Sequence, residues 1–205
     1  DLEQARLYYE DILTLAEDPE DLDTETYVID GNLHLADLIL RLEGRSQAAA
    51  NCYERVLALD PDHRASLTAL CPLLEDLRRY ERLVRVQERL AQLTDDPAEE
   101  RRLLVSTAKL LQERLSDLKG ARRLLALVLD HEPDDAEALD LLLGILQLQG
   151  DADGLSSLLS RAAAASEEPE RQVELYLQLA DVLADLGAPA EQRADALRAA
   201  LEAFL

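Results

Sequence analysis

Three histidines, two cysteines and a large excess of carboxylates are the residues of this 205-residue chain suited by type to metal binding, nucleophilic catalysis or acid–base work. Their spacing argues against all three. A helical metal site needs a second histidine one turn away, and His34, His63 and His131 each stand alone, so surface or inter-repeat packing is expected for them. Asp151-Ala152-Asp153-Gly154 opens like a calcium loop but is not followed by that loop's remaining ligands or its closing glutamate, and a plain turn explains it. Cys52 and Cys71 lack Cys-x-x-Cys spacing and read as small buried hydrophobes in a reducing compartment. Glycine-rich phosphate loops, the Gly-x-Ser-x-Gly elbow and a Cys/His nucleophile pair do not occur. No catalytic, cofactor-binding or metal site is therefore expected, and the chain is not expected to be an enzyme. One pattern is suited to recognition instead. Arg78, Arg82, Arg85 and Arg89 follow i, i+4, i+7, i+11 spacing, which puts four guanidinium groups on one helix face, as either a clamp for an acidic partner or a solvated face balanced by Glu75 and Glu81.

The elements that would carry such a face are marked by acid-proline pairs. Asp60-Pro61, Asp96-Pro97, Glu132-Pro133 and Glu168-Pro169 recur every 36 residues, as expected where each structural unit must end one helix and open the next. Residues 32–111 overlay 104–183 without a gap, which makes the full period a pair of hairpins, 72 residues long. In successive copies Ala36, Ala108 and Ala180 sit among leucines at helical spacing, small residues that let a neighbouring backbone approach. Ala49, Tyr53, Val56 and Leu57 correspond in the same way to Ala121, Leu125, Val128 and Leu129. The pattern predicts an all-α fold, a right-handed α-α superhelix of about eleven helices, over 2–16, 25–43, 46–59, 63–77, 79–94, 97–115, 117–131, 134–149, 151–166, 169–186 and 190–204. The whole chain, 1–205, is then a single repeat domain. Its hairpins cover 25–61, 62–96, 97–132, 133–168 and 169–205, after a partial repeat and acidic loop over 1–24. Gly44, Gly150 and Gly187 mark turns, and Pro72, inside a helical pattern, predicts a bend.

Composition bounds the partners. Abundant Leu, Ala, Glu and Arg with 3% aromatics is a helical composition. A net charge of −22 repels nucleic acid and favours basic partners. The acids are concentrated at the start, where residues 1–30 carry eleven acids and only Arg6 as a base. No run of residues approaches a membrane span, and a cytoplasmic location follows as the expectation. The chain opens on Asp1 and lacks methionine, as a piece of a longer protein would. Ala196, Leu197, Ala200, Leu201, Phe204 and Leu205 form an apolar stripe to the last residue, so either further repeats or self-association through this helix is expected.

Leu35-Ala36-x-x-Ile39, Gly44, Ala49, Tyr53, Leu57 and Asp60-Pro61-Asp62 together resemble a tetratricopeptide repeat, with one extra residue between Ile39 and Ala49. The odd hairpins fit that pattern best. The even ones fit it loosely, with Leu70-Cys71 and Leu142-Leu143 at the large-small pair. The resemblance implies that the first helix of each hairpin lines a groove for another protein or peptide. Carried over by position, the groove presents Asp37, Arg41, Thr68, Glu75, Asp76, Arg102, Lys109, Gln112, Glu113, Asp140, Gln147, Asp181 and Asp185, and is basic in its middle and acidic at its ends. The paired asparagines by which one subgroup clamps a terminal carboxylate are absent from these positions. The function so implied is a protein-protein interaction scaffold or adaptor without cofactors. The alternative is a regulatory arm of a larger enzyme whose catalytic domain lies outside these residues.

Overall fold

The computed structural model describes residues 4, 6–9, 11, 22–43 and 46–205, and every regular element among them is α-helical. The ten helices named here are α1 (Leu22–Glu43), α2 (Ser46–Leu59), α3 (Arg64–Asp76), α4 (Tyr80–Leu93), α5 (Pro97–Arg114), α6 (Leu118–His131), α7 (Ala136–Gln149), α8 (Ala152–Ala165), α9 (Pro169–Asp185) and α10 (Ala190–Phe204). The predicted boundaries of α2 to α10 stand within two residues. Helix α1 begins ahead of the predicted start at 25, so the expected acidic loop gives way to helix from Leu22 onward. Residues 4, 6–9 and 11 of the predicted first helix are helical, while the rest of it, the remainder of that loop and the Gly44 turn lie outside the described residues.

The double-hairpin period is visible in helix length. Helices α1, α5 and α9 have 22, 18 and 17 residues, against 13 and 14 for α3 and α7. Acid-proline pairs produce both kinds because the two sets of prolines do different work. Pro97 and Pro169 are the first residues of α5 and α9, where a missing N–H costs nothing. Pro61 and Pro133 lie instead in turns, and the following helices start only after a separate cap. His63 Nδ1 accepts from the Ser66 N–H at 3.2 Å, and the Asp135 carboxylate accepts from the Ala138 N–H at 2.8 Å. His63 is thus a helix cap rather than a ligand.

The chain divides into two compact units, one up to Leu103 and the other from Leu104. In the first, α1 to α4 pack in sequence order, and Val56, Leu70 and Leu74 are fully buried between them. In the second, α6 to α10 also pack each on the next, around Leu124, Leu129, Leu139, Ile145, Leu159 and Leu175. Ala36, Ala108 and Ala180 are all buried, as their matched spacing predicts, and so are Ala49 and Ala121. Cys52 is buried and Cys71 half-buried, both as free thiols. Burial, with a smaller contribution from Glu75, pushes the Cys71 thiol up to about 11, which keeps it in the unreactive protonated form.

Three helices end in one hydrogen-bonding pattern. After α7, the Gly150 and Asp151 N–H groups donate to the Gln147 and Leu146 carbonyls at 3.1 and 3.0 Å, and Gly187 and Ala188 repeat this after α9. Both glycines have φ of 65°, the left-handed conformation such a terminus requires. After α3 the same bonds form from Arg78 and Arg79 to Glu75 and Leu74, but the left-handed residue, at φ 53°, is Arg78. Helix α3 continues through the exposed Pro72 to Asp76.

Candidate functional site

In the first unit several of the groove candidates are engaged with their own neighbours. Arg41 donates to Asp37 one turn away at 3.0 Å. Thr68 Oγ1 donates to the Arg64 carbonyl at 2.9 Å, and Arg64 itself pairs with Glu99 of α5. Glu99 also accepts from Thr94 Oγ1 at 2.8 Å; the hydrogen bonds from Thr94 and from Arg64 hold its carboxyl below the usual range, and Arg102 adds a little to that. The arginine pattern is divided among different tasks. Arg82 bridges to Glu54 of α2 at 3.2 Å, and Arg89 Nε donates to Asp62 at 2.7 Å. Arg85 Nε donates at 3.4 Å to the Glu81 carbonyl, and Arg78 precedes α4 altogether. Arg82 and Arg85 nonetheless line a cleft of about 410 Å³ with Leu67 and Val86.

In the second unit Lys109 pairs with Glu137 of α7 at 2.7 Å, and Gln112 is half-buried on α5. Asp140 and Gln147, by contrast, come together. Both line a cleft of about 480 Å³ whose walls are Asp140, Leu143, Gly144 and Gln147 of α7 and Gln178, Asp181, Val182 and Asp185 of α9. Leu155 and Leu159 of α8 form its floor. The arrangement follows from sequence. Leu143 stands at the place of the small residue that lets neighbours close in around Ala36, Ala108 and Ala180, and its bulk is followed by Gly144. A Cβ at Gly144 would meet nothing within 4 Å, so the glycine faces open space. Helix α8 is fixed beneath by an aspartate cap. Asp151 accepts from the Gly154 N–H at 2.9 Å and pairs with Arg122 at 2.7 Å, which together hold its carboxyl below the usual range. A Cβ at Gly154 would lie 2.7 Å from that carboxylate, so Asp-x-x-Gly is a helix cap here; Asp117 and Gly120 repeat it at the start of α6.

Gln178 and Val182 complete the cleft and were not among the groove residues that the sequence pattern supplied. They lie four positions apart on the same α9 face as Asp181 and Asp185, a spacing that could have revealed them once α9 was placed beside α7. Among the described residues, no group of three or more His, Cys, Asp or Glu is placed to hold a metal ion, and no helix is long and apolar enough to cross a membrane.

Helical hairpins repeated along the chain define its class, a helical-repeat protein. Residues 30–63, from the second part of α1 to the end of the turn after α2, match the tetratricopeptide repeat family, and this segment carries that repeat. No curated protein matches the chain in sequence. Among solved structures it is similar to MamA from Desulfovibrio magneticus, at 18% identity over 86% of this chain and 91% of that one, with a TM-score of 0.44. A tetratricopeptide repeat protein from Parabacteroides merdae is 17% identical over 100% of this chain and 73% of that one, with a TM-score of 0.44. PilF of Pseudomonas aeruginosa is 16% identical over 97% and 90%, with a TM-score of 0.43. Likeness at this level transfers no residue roles.

Proposed function

We propose that the chain is a non-catalytic protein-interaction scaffold that holds a segment of a partner protein in the cleft between α7 and α9. A tetratricopeptide repeat at 30–63 supports the scaffold reading. The cleft carries its location: an apolar floor of Leu155 and Leu159, half-exposed Leu143 and Val182, and amides at Gln147 and Gln178 able to both donate and accept toward a peptide backbone. Gly144 is the decisive residue, since a side chain there would enter the cleft without meeting the fold.

The test is a selection of peptides from a displayed random library on the whole chain, followed by backbone NMR titration with the selected peptides. Shifts centred on α7 and α9, and loss of binding in Gly144→Trp with an unchanged helical spectrum, are the expected results. Peptides that bind Gly144→Trp as well as the parent would remove the cleft from consideration.

A further inference from the structure

We infer that the α7/α9 cleft selects a basic segment of its partner, seating an arginine or lysine beside Asp181 and Asp185 with an apolar neighbour against Leu143 and Val182. The inference rests on the scaffold reading above and specifies the chemistry of the partner.

The first ground is uncompensated charge. Asp181 and Asp185 are exposed, one turn apart on α9, and among the described residues neither has a cationic partner. Other acids in this unit do have cationic partners, Glu137 with Lys109, Asp130 with Arg161 and the helix cap Asp151 with Arg122. Asp140, on the opposite wall, has Arg171 at 3.9 Å, but that guanidinium is held more closely by Glu174 at 2.7 Å. Three carboxylates therefore face one cleft with little local neutralisation.

The second ground is that the acids sit where the helix itself disfavours them. Helix α9 ends at Asp185 and has no basic residue in its last turn. A helix C-terminus carries partial negative charge, so both aspartates oppose the helix dipole, and at i, i+4 they also repel each other. A residue choice that works against the stability of its own helix is the kind retained at functional positions. A bound guanidinium or ammonium removes both penalties, and a low-dielectric wall of leucine and valine strengthens its attraction to the carboxylates.

The peptides selected on the whole chain supply the probes. Arginine or lysine next to a leucine or aromatic residue should be enriched in them, and affinity should fall as salt is raised. The double variant Asp181→Asn/Asp185→Asn should weaken binding about tenfold, while its melting temperature stays equal or rises. Neutral or acidic peptides, or affinity unchanged in the double variant, would overturn the inference. If Gly144→Trp still abolished binding in that case, the scaffold reading would stand alone. Selected peptides that lose affinity in Arg85→Ala instead would place recognition in the basic cleft of the first unit and also overturn it. A double variant that changed the oligomeric state would point to a second copy of the chain as the occupant, with the same consequence. A selection that enriched no peptide sensitive to Gly144→Trp would remove both readings.

Discussion

Arg78 occupies a left-handed position that the other two helix ends of the same geometry give to Gly150 and Gly187. For an L-residue that conformation costs about 1–2 kcal/mol, and the extra unfolded-state entropy of glycine offsets part of the gain from replacing it. Arg78→Gly should therefore stabilise the chain by about 0.5–1 kcal/mol, read as an upward shift of the urea midpoint at constant slope. The spacing of Arg78 from Gly150 is one full period, so the turn was legible in sequence; the strain was not, because the residue at 78 belongs to an arginine pattern that hid it. The tasks of Arg82 and Arg89 were hidden for a different reason: Glu54 and Asp62 lie on neighbouring elements, and a one-dimensional face shows no such partners. Titration gives a second residue-level expectation. Asp151 is held below its ordinary 3.8 and Glu99 below 4.5, so each contributes stability that is complete above those values and lost as pH falls through the lower folded-state pKa. Acid titration of the urea midpoint should show this loss below about pH 4, and Asp151→Asn should flatten it. Both groups are half-exposed and open to solvent screening, so the effect is small. An identical acid limb in the variant would show that the cap and Arg122 do not hold this carboxylate.

At the scale of elements, Pro72 and Gly144 mark the same position in α3 and α7, one period apart, and the two poor helix formers have different origins. Pro72 is exposed and removes the bond to the Thr68 carbonyl within a helix that continues past it. Gly144 faces open space in the cleft. Pro72→Ala should restore up to about 3 kcal/mol, and Gly144→Ala about 0.5–1 kcal/mol, both measured by chemical denaturation. Only the second substitution should weaken the selected peptides, since only its methyl enters the cleft. A Pro72→Ala variant no more stable than the parent would show that α3 already accommodates the ring. Helices and their order were legible because apolar residues recur at helical spacing, and Ala36, Ala108 and Ala180 were correctly marked as buried. What the acid-proline period concealed is that the prolines alternate between opening a helix and sitting in a turn. His63 and Asp135 decide this, and a cap is recognised only once the helix start is known. The start of α1 was placed late because the acids before residue 25 read as part of a loop, whereas the helix begins at Leu22.

For the molecule as a whole, charge and the last helix oppose each other. A net charge of −22 makes any two copies repel at long range. Helix α10 meanwhile exposes Leu197 at 49%, Leu201 at 58% and Phe204 at 76%, an i, i+4, i+7 row, while Ala196 and Ala200 on the same helix are buried. Burying one such side chain is worth about 1.5–3 kcal/mol, so the row from both copies together, not any one residue, must offset the cost of association of about 4–15 kcal/mol once repulsion is reduced. Salt decides the balance, because the screening length falls to about 10 Å near 0.1 M. We therefore expect association through α10 to strengthen as salt rises, the opposite of the expected response of a basic peptide in the α7/α9 cleft. Sedimentation at increasing salt should show a monomer giving way to a dimer, and Leu201→Glu should remain monomeric throughout while still binding the selected peptides. A monomer at every salt and protein concentration would show that this row does not join copies of the chain. Dimers that dissolve on adding salt would instead place charged surfaces, not α10, at the contact.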